Sequence, residues 1–126
     1  RVEPRSALHL PEANPFVPKA LALLNTEKPD LSFPHPEKVI ANEWGEFYYA
    51  LDRQFQVPEL FARFELLSEV VRENDPRSAV LLDLFVRSVT EKLTGTSYLA
   101  KVAGLSYTLN PNAYGLVLTV NGYSEQ

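Results

Sequence analysis

A change of hydrophobic period near Gly104 constrains the fold of this chain more than any other feature. Upstream of Gly104, apolar residues recur at the three- and four-residue spacing of one helical face, as at Leu82, Val86 and Val89. Downstream of it, apolar and polar residues alternate, which is typical of a half-buried strand. The stretch from Asp75 to Gly122 therefore predicts one long helix followed by a β-hairpin.

The predicted helix has clear chemical signals at both ends. Asn74 or Asp75 offers an N-cap oxygen, and Pro76 fits the first helical position because the amide it lacks would have no helical partner. At the other end, Gly104 suits a left-handed residue just past the C-terminus. Gly95 costs about 1 kcal/mol relative to alanine, so the pattern leaves open whether the helix is continuous or breaks there.

Two pairs of strands are predicted around this helix. The hairpin strands are placed at 105–109 and 114–120, with the turn at 110–113, where Asn110 and Pro111 have suitable backbone preferences. Upstream, the aromatic run 44–51 and the alternating run 60–67 predict two more strands. We therefore predict an α+β fold, in which an antiparallel or mixed sheet of about four strands carries the helix on one face.

The first third of the chain is rich in proline. Residues 1–42 contain seven of the ten prolines, which remove amide donors and favour extended backbone. This predicts an extended linker without regular helix or sheet, apart from a turn around Lys19–Leu24. Apolar residues such as Phe16 and Val17 imply that this linker lies on a surface.

Composition excludes several classes of function. A net charge of −4, with no basic and aromatic cluster, argues against nucleic acid as a partner. No apolar run approaches the roughly 18 residues that span a bilayer. The absence of cysteine excludes disulfide and thiolate chemistry but leaves the compartment open. Because the chain starts at Arg1 and contains no Met, we expect a processed or excised part of a longer gene product.

Catalytic and metal-binding patterns are missing from the sequence. His9 and His35 lie in proline-flanked stretches, and neither belongs to a His-x-x-Glu-His pattern that could hold zinc. Acidic pairs such as Glu43/Glu46 are interpreted as solvated faces, because nothing in the sequence tunes their pKa values. There is no Gly-x-Ser-x-Gly elbow and no phosphate-binding loop. We predict no catalytic residue and no metal ligand.

Four aromatic residues have two open interpretations. Trp44, Tyr48, Tyr107 and Tyr114 either pack within the fold, which is the commoner role of strand aromatics, or contact a peptide. A peptide would bind them by apolar contact or by addition to a strand edge.

The runs Leu99–Leu109 and Tyr114–Tyr123 resemble the pitrilysin and insulin-degrading enzyme family of zinc metallopeptidases, at the start of the second half of those proteins. Asn14–Pro18 is similar to the segment that ends the first half. Further similarity lies at Trp44, Asp52, Arg53, Phe55 and Pro58, and departures lie at Glu59 and at Ser68-Glu69. The resemblance covers nearly the whole chain in the right order.

This resemblance implies a specific role. Family members arrange four related α+β domains as two halves of a clamshell, and the zinc motif belongs to the first domain. Residues 1–42 would then be the end of the N-terminal half and the connector, which covers Pro29 to Asn42. Residues 43–126 would be the first part of a non-catalytic domain that lines the peptide chamber. Zinc is expected only in the parent enzyme, and this chain by itself is expected to be inactive.

The resemblance also implies partners and a compartment. The partners would be the remaining domains of the parent and, through the parent, its peptide substrates, whereas the isolated chain would self-associate. Likeness to the bacterial branch of the family implies a periplasmic or secreted protein, and a cytoplasmic location stays open. The alternative hypothesis is a free-standing module that presents an aromatic sheet face to peptides or proteins.

Overall fold

The computed structural model describes residues 12–23 and 28–124. In chain order the elements are β1 (Glu37–Asn42), β2 (Gly45–Tyr49), β3 (Glu59–Leu67), α1 (Pro76–Val102), β4 (Ser106–Asn112) and β5 (Gly115–Tyr123). Every strand pair is antiparallel, so the predicted α+β class with one long helix is confirmed. The strands number five rather than four, and they form two sheets, β1-β2 and β3-β5-β4.

Strand β1 corrects the prediction that residues 1–42 lack regular structure. It begins directly after Pro36, the last proline of the cluster, where amide donors become available again. Its partner is β2, with Asn42 opposite Gly45 across a two-residue turn. The predicted pairing of the 44–51 and 60–67 strands is therefore wrong, because β3 pairs with β5 instead. The predicted turn around Lys19–Leu24 ends outside the described residues.

The start of the described chain lies against the helix. The side-chain amide of Asn14 donates to the carbonyl oxygen of Leu99 at 2.7 Å. The Asn14 carbonyl oxygen also accepts from the amide of Val17, and its side-chain oxygen accepts from that of Phe16. Val17, one of the apolar residues from which docking of this segment is predicted, remains 56% exposed, so docking of the whole segment stays a prediction.

Helix α1 is capped by Asp75, not by Asn74. The two carboxylate oxygens of Asp75 accept from the amides of Arg77 at 3.1 Å and Ser78 at 3.3 Å, and Pro76 follows as the first helical residue. The helix runs without a break through Gly95 and ends at Val102. Gly104 then adopts φ +88°, as predicted for the residue that terminates the helix.

Removing this cap should destabilise the fold measurably. Replacing Asp75 with alanine leaves two helix-terminal amides without their acceptor, at an expected cost of about 1 kcal/mol in the free energy of unfolding. Urea denaturation followed by far-ultraviolet circular dichroism measures the difference. Glu73→Ala, an exposed change two residues away, is the control and should alter stability far less. Equal effects of the two changes would show that the cap contributes nothing.

The three-stranded sheet has one apolar and one polar face. Residues directly opposite one another share a face, and the register brings even-numbered residues of β3 and β5 together with odd-numbered residues of β4. The apolar face consists of Leu60, Ala62, Phe64, Leu66, Tyr107, Leu109, Pro111, Leu116, Leu118 and Val120. The other face carries mostly polar residues, among them Arg63, Glu65, Thr108 and Thr119.

Strand β4 is two residues longer than the pattern predicts, so that the turn falls at Ala113 and Tyr114 rather than at 110–113. Pro111 lies inside the strand, opposite Leu116. A proline is acceptable there because β4 is an edge strand of its sheet and pairs only with β5.

The core is small and lies along one line of the helix. Val86, Ala100 and Ala103 are the buried apolar residues within the described part of the chain. Helix α1 packs chiefly against β4, while on β3 the apolar-face residues Leu60 and Leu66 remain 46% and 50% exposed. The side of the apolar face formed by β3 is therefore incompletely covered.

Candidate functional site

The tips of the two tight hairpins have the same local construction. Each contains an asparagine, a variable residue, an aromatic residue and a glycine, in Asn42–Gly45 and in Asn112–Gly115. The asparagine side-chain oxygen accepts from the amide of the aromatic residue at 2.9 Å in both hairpins. The glycines that follow have φ values of +154° and +153°, which residues with a Cβ rarely adopt. Each hairpin thus places an aromatic side chain at its tip.

The four aromatic residues predicted for packing or substrate contact do not form one surface. Trp44 and Tyr48 belong to the β1-β2 hairpin, whereas Tyr107 and Tyr114 belong to the three-stranded sheet. Trp44 is 89% exposed and Tyr114 is 56% exposed, both at hairpin tips. Tyr107 is half-buried on the apolar sheet face. A packing role therefore fits Tyr107 better than it fits Trp44.

Tyr48 belongs to a polar cluster on one face of the β1-β2 hairpin. The Lys38 ammonium donates to Glu46 Oε1 at 2.6 Å, and the Tyr48 hydroxyl donates to Glu46 Oε2 at 2.7 Å. Lys38 also lies 5.3 Å from the centroid of the Tyr48 ring. The Lys38 hydrogen bond, followed by that of Tyr48, lowers the pKa of Glu46, and the Glu46 hydrogen bond raises the pKa of Lys38. The cluster fixes the side chains of one hairpin face.

This cluster should make the hairpin sensitive to pH at both extremes. The pKa of Glu46 is lower in the folded hairpin than in the unfolded chain. The Glu46 carboxylate therefore stabilises the hairpin above its unfolded-state pKa, and this stabilisation is lost as pH falls through its folded-state pKa. The pKa of Lys38 is higher in the folded hairpin than in the unfolded chain. The stabilisation by the Lys38 ammonium is therefore present below its unfolded-state pKa and is lost as pH rises through its folded-state pKa. Protection factors from amide hydrogen exchange across β1 and β2 measure the acid step, and circular dichroism as a function of pH measures the alkaline step. In Glu46→Gln the acid step should disappear, and its persistence would assign the step to another carboxyl.

The opposite face of the β1-β2 hairpin is apolar and open. Ile40 lies opposite Phe47, and Tyr49 is on the same face as Phe47. These three side chains are 45–50% exposed. A two-stranded hairpin is marginally stable on its own in water, so this face fits burial against further protein.

Two surface cavities lie beside these elements. A groove of about 760 Å³ runs between the β3-α1 loop and the start of α1, with Val70, Leu81 and Phe85 in its lining and Arg72 and Arg77 beside them. Its lining is largely apolar. It is suited to packing against another apolar surface.

A smaller cavity of about 400 Å³ lies at the base of the β1-β2 hairpin, and Asp30, His35 and Arg53 are in its lining. Asp30 accepts from the amide of Ser32 at 2.9 Å and from its hydroxyl at 2.7 Å. These two hydrogen bonds, together with the nearby Arg53, lower the pKa of Asp30.

The described residues do not fit a zinc site. Within 12–23 and 28–124, no three His, Cys, Asp or Glu side chains are grouped so that they could hold a metal ion. Helix α1 contains no histidine, and His9 lies outside the described residues. Zinc requires several donors that converge on one point.

Comparisons with known proteins agree with this architecture. Residues 1–126 match the family model described as the middle or third domain of peptidase M16. Nardilysin of Rattus norvegicus is 31% identical over 121 residues, covering 96% of this chain and 10% of nardilysin. Insulin-degrading enzyme of Bos taurus is 29% identical over 117 residues, covering 93% of this chain and 11% of that protein.

A solved structure extends the comparison to the fold. The crystal structure of pitrilysin superimposes with a TM-score of 0.71 and 30% sequence identity, covering 94% of this chain and 12% of the pitrilysin chain. The chain thus spans about a tenth of the length of the relatives it matches. The resemblance in the sequence is confirmed, and the chain belongs to the M16 peptidase family as its middle, or third, domain.

Proposed function

We propose that this chain is a non-catalytic structural segment of a zinc metalloendopeptidase of the pitrilysin and insulinase type. The observation that carries the proposal is the match of the whole chain to the middle domain, at about a tenth of the length of its relatives. In the parent enzyme, which hydrolyses peptide bonds, the segment contributes the connector and part of the chamber wall that retains peptides.

The catalytic zinc of the parent is assigned to another domain. The described residues offer no converging donors, and helix α1 carries apolar residues from Ala79 to Leu82. We place the zinc ligands in the first domain of the parent, so that no step of peptide hydrolysis passes through the residues of this chain.

The boundary between connector and domain is proposed at residues 42 and 43. The β1-β2 hairpin straddles this boundary, with one strand on each side. The connector is also tied to the residues that follow the hairpin. The amide of Asp30 donates to the Arg53 carbonyl at 3.2 Å, and the Gln54 side chain donates to the Leu31 carbonyl at 3.1 Å. These contacts support a role for the hairpin as the joint between the two parts.

The remaining domains of the parent are the proposed partners of the open apolar surfaces. These surfaces include the uncovered residues of β3 and the apolar face of the β1-β2 hairpin. In the parent enzyme, Trp44 and Tyr114 would contact peptides inside the assembled chamber. Substrate contact by these two residues is supported by their exposure at hairpin tips.

The compartment follows from the proposed parent. We propose a periplasmic or secreted location from the likeness to pitrilysin, with the cytoplasm as the alternative. Within the described part of the chain, no helix meets the length and hydropathy needed to cross a membrane.

A zinc and peptidase assay tests the proposal. The purified 126-residue chain should contain substoichiometric zinc by metal analysis and should leave fluorogenic peptides uncut, because its sequence has no His-x-x-Glu-His and its described residues have no converging donor set. Pitrilysin measured in parallel is the positive control. Stoichiometric zinc together with chelator-sensitive cleavage by the chain would overturn the non-catalytic assignment.

The alternative is a free-standing interaction module, favoured by the 89% exposure of Trp44. The two proposals differ in the gene that encodes the chain. A parent reading frame of the relatives' length, with His-x-x-Glu-His upstream, supports the peptidase segment. A short reading frame that ends near this chain supports the module.

A further inference from the structure

The segment that precedes the connector is fastened to the last turn of α1. Asn14 donates through its side-chain nitrogen to the Leu99 carbonyl oxygen at 2.7 Å, although 85 positions of sequence separate the two residues. Burial alternates around this contact: the residues between are exposed, and the half-buried ones are Asn14, Phe16 and Pro18. One side of residues 14–18 therefore faces the rest of the chain, whereas residues 19–23 are all exposed.

Both polar atoms of the Asn14 side chain have a partner, which fixes the orientation of the amide. The oxygen accepts from the Phe16 amide at 3.0 Å and closes a turn within the segment. The nitrogen donates to Leu99. Asparagine and aspartate both form turns of this kind, but an ionised carboxylate has no hydrogen to give to a carbonyl oxygen. Serving both partners at once therefore requires asparagine rather than aspartate.

The Leu99 carbonyl belongs to the end of the helix, where acceptors outnumber donors. The last four carbonyl groups of a helix lack partners within it, and Leu99 opens the last turn of α1, which ends at Val102. The amide of Ala103 donates to Leu99 at 3.2 Å, but it is shared with the Ala100 carbonyl at 3.0 Å. Asn14 therefore adds a donor where the helix is short of them, at the end where the helix dipole disfavours negative charge.

We propose that residues 14–18 are a strap whose Asn14 caps the last turn of α1, so that the strap and the end of the helix are ordered together. This turn leads to Gly104, which packs so closely on β5 that an added Cβ would lie 2.8 Å from the Tyr123 ring. The strap is thus attached to the part of α1 that is itself fixed to the sheet.

The consequence for the parent enzyme rests on the proposed function. Residues 14–18 lie in the part assigned to the N-terminal half, and α1 lies in the domain that opens the C-terminal half. The strap then joins the two parts by a non-covalent contact, in addition to the connector that joins them through the chain. The N-terminal half accordingly ends in a segment that is folded on to its neighbour.

Asn14→Asp tests the cap separately from the turn, because the introduced carboxylate keeps the acceptor for Phe16 and loses the donor for Leu99. Phe16 is half-buried, so chymotrypsin cuts between Phe16 and Val17 when the strap is released, and the rate of this cut follows the released population. In the 126-residue chain at pH 7 the rate should rise about fivefold, the effect of one lost hydrogen bond. The Ala103 amide, followed by hydrogen exchange in NMR spectra, should lose protection by a similar factor.

Two controls accompany this variant. The bond after Phe55, which is 72% exposed, lies outside the strap and should be cut at an unchanged rate. Asn42→Asp is the matched substitution: the Asn42 oxygen accepts from the amides of Trp44 and Gly45, and a carboxylate retains this role. It should leave both the cut after Phe16 and the protection of Ala103 as they are.

Three results would overturn the strap. The first is an unchanged cut after Phe16. The second is a faster cut with full protection at Ala103, which would show that the segment does not cap the helix. The third is equal acceleration after Phe16 and Phe55, which would show an effect on the whole fold. The zinc and peptidase assay is independent of these: zinc binding with cleavage would overturn the assigned function and leave the strap standing, whereas these three results would leave the function.

Discussion

Replacing Gly115 with alanine should lower the free energy of unfolding by about 3 kcal/mol. Gly115 has φ +153°, which residues with a side chain rarely adopt. A Cβ built at this position would overlap the carbonyl oxygen of Leu66, and the carbonyl carbon of Leu66 would lie 3.1 Å away. Both atoms belong to the backbone of β3. Removing the overlap would therefore require the Leu67–Gly115 pair, at the end of the β3-β5 ladder, to separate.

The same substitution at Gly95 is the control and should have the opposite sign. Gly95 lies within α1, and a Cβ there would meet nothing within 4 Å. Gly95→Ala should therefore stabilise the chain by about 1 kcal/mol through helix propensity. Urea denaturation of both variants measures the pair. If the Gly115→Ala variant were as stable as the unsubstituted chain, the β4-β5 turn would not approach β3 as closely as described.

Replacing Val86 with aspartate should destabilise the fold by about 3 kcal/mol, because it places a charge on the buried line of α1. Val86 is 8% exposed, so a carboxylate at this position would be almost fully removed from water. Thermal unfolding should show the loss as a lower melting temperature, together with a broader transition if the helix detaches from β4.

Val80 provides the matched comparison on the same helix. Val80 is 60% exposed. Val80→Asp therefore makes the same change in helix propensity as Val86→Asp, but it does not bury the new carboxylate. We expect its effect to stay within about 0.5 kcal/mol. If the two variants unfolded alike, the buried line through Val86, Ala100 and Ala103 would not be the contact that holds α1 in place.

Local chemistry explains why the helix and the last hairpin were predictable from the sequence. Asp75, Pro76 and Gly104 act on backbone groups within a few residues, so their signals need no tertiary context. The more buried side of the helix carries Leu82, Val86, Val89 and Ala100, and it continues to Ala103 just past the helix end. Phe85 and Leu93 follow the same apolar spacing but remain 53% and 41% exposed. Gly95 does not break the helix, since packing at Val86 and Ala100 lies on either side of it.

Strand pairing was not predictable, because it depends on residues far apart in the chain. The alternation in β3 identifies a strand but carries no information about its partner, and β5 lies about fifty residues further on. Strand β1 has a weak sequence signal, because it directly follows the proline-rich residues 1–36. Pro111 favours a turn by its local preferences, and only the sheet order shows that it lies in an edge strand.

The candidate site was predictable in part. The four aromatic residues were identified, but their exposure depends on the turns that hold two of them. The repeated order asparagine, variable residue, aromatic residue, glycine, in Asn42–Gly45 and Asn112–Gly115, is the signal that would have placed Trp44 and Tyr114 at hairpin tips. The edge position of β3 among the described residues has no local signal, because an edge is defined only by the order of strands in the sheet.

The central position of β5 has a consequence for the order of folding. Within residues 12–23 and 28–124, both β3 and β4 pair with β5 alone, and β5 is the last of the five strands described there to be synthesised. During translation, β3 and α1 leave the ribosome before β5 does, and closing the loop between β3 and β5 carries an entropic cost. The three-stranded sheet therefore forms late, and the nascent chain exposes the β5-facing edge of β3 until residues 115–123 emerge. Chaperone binding to β3 should be strongest in that interval.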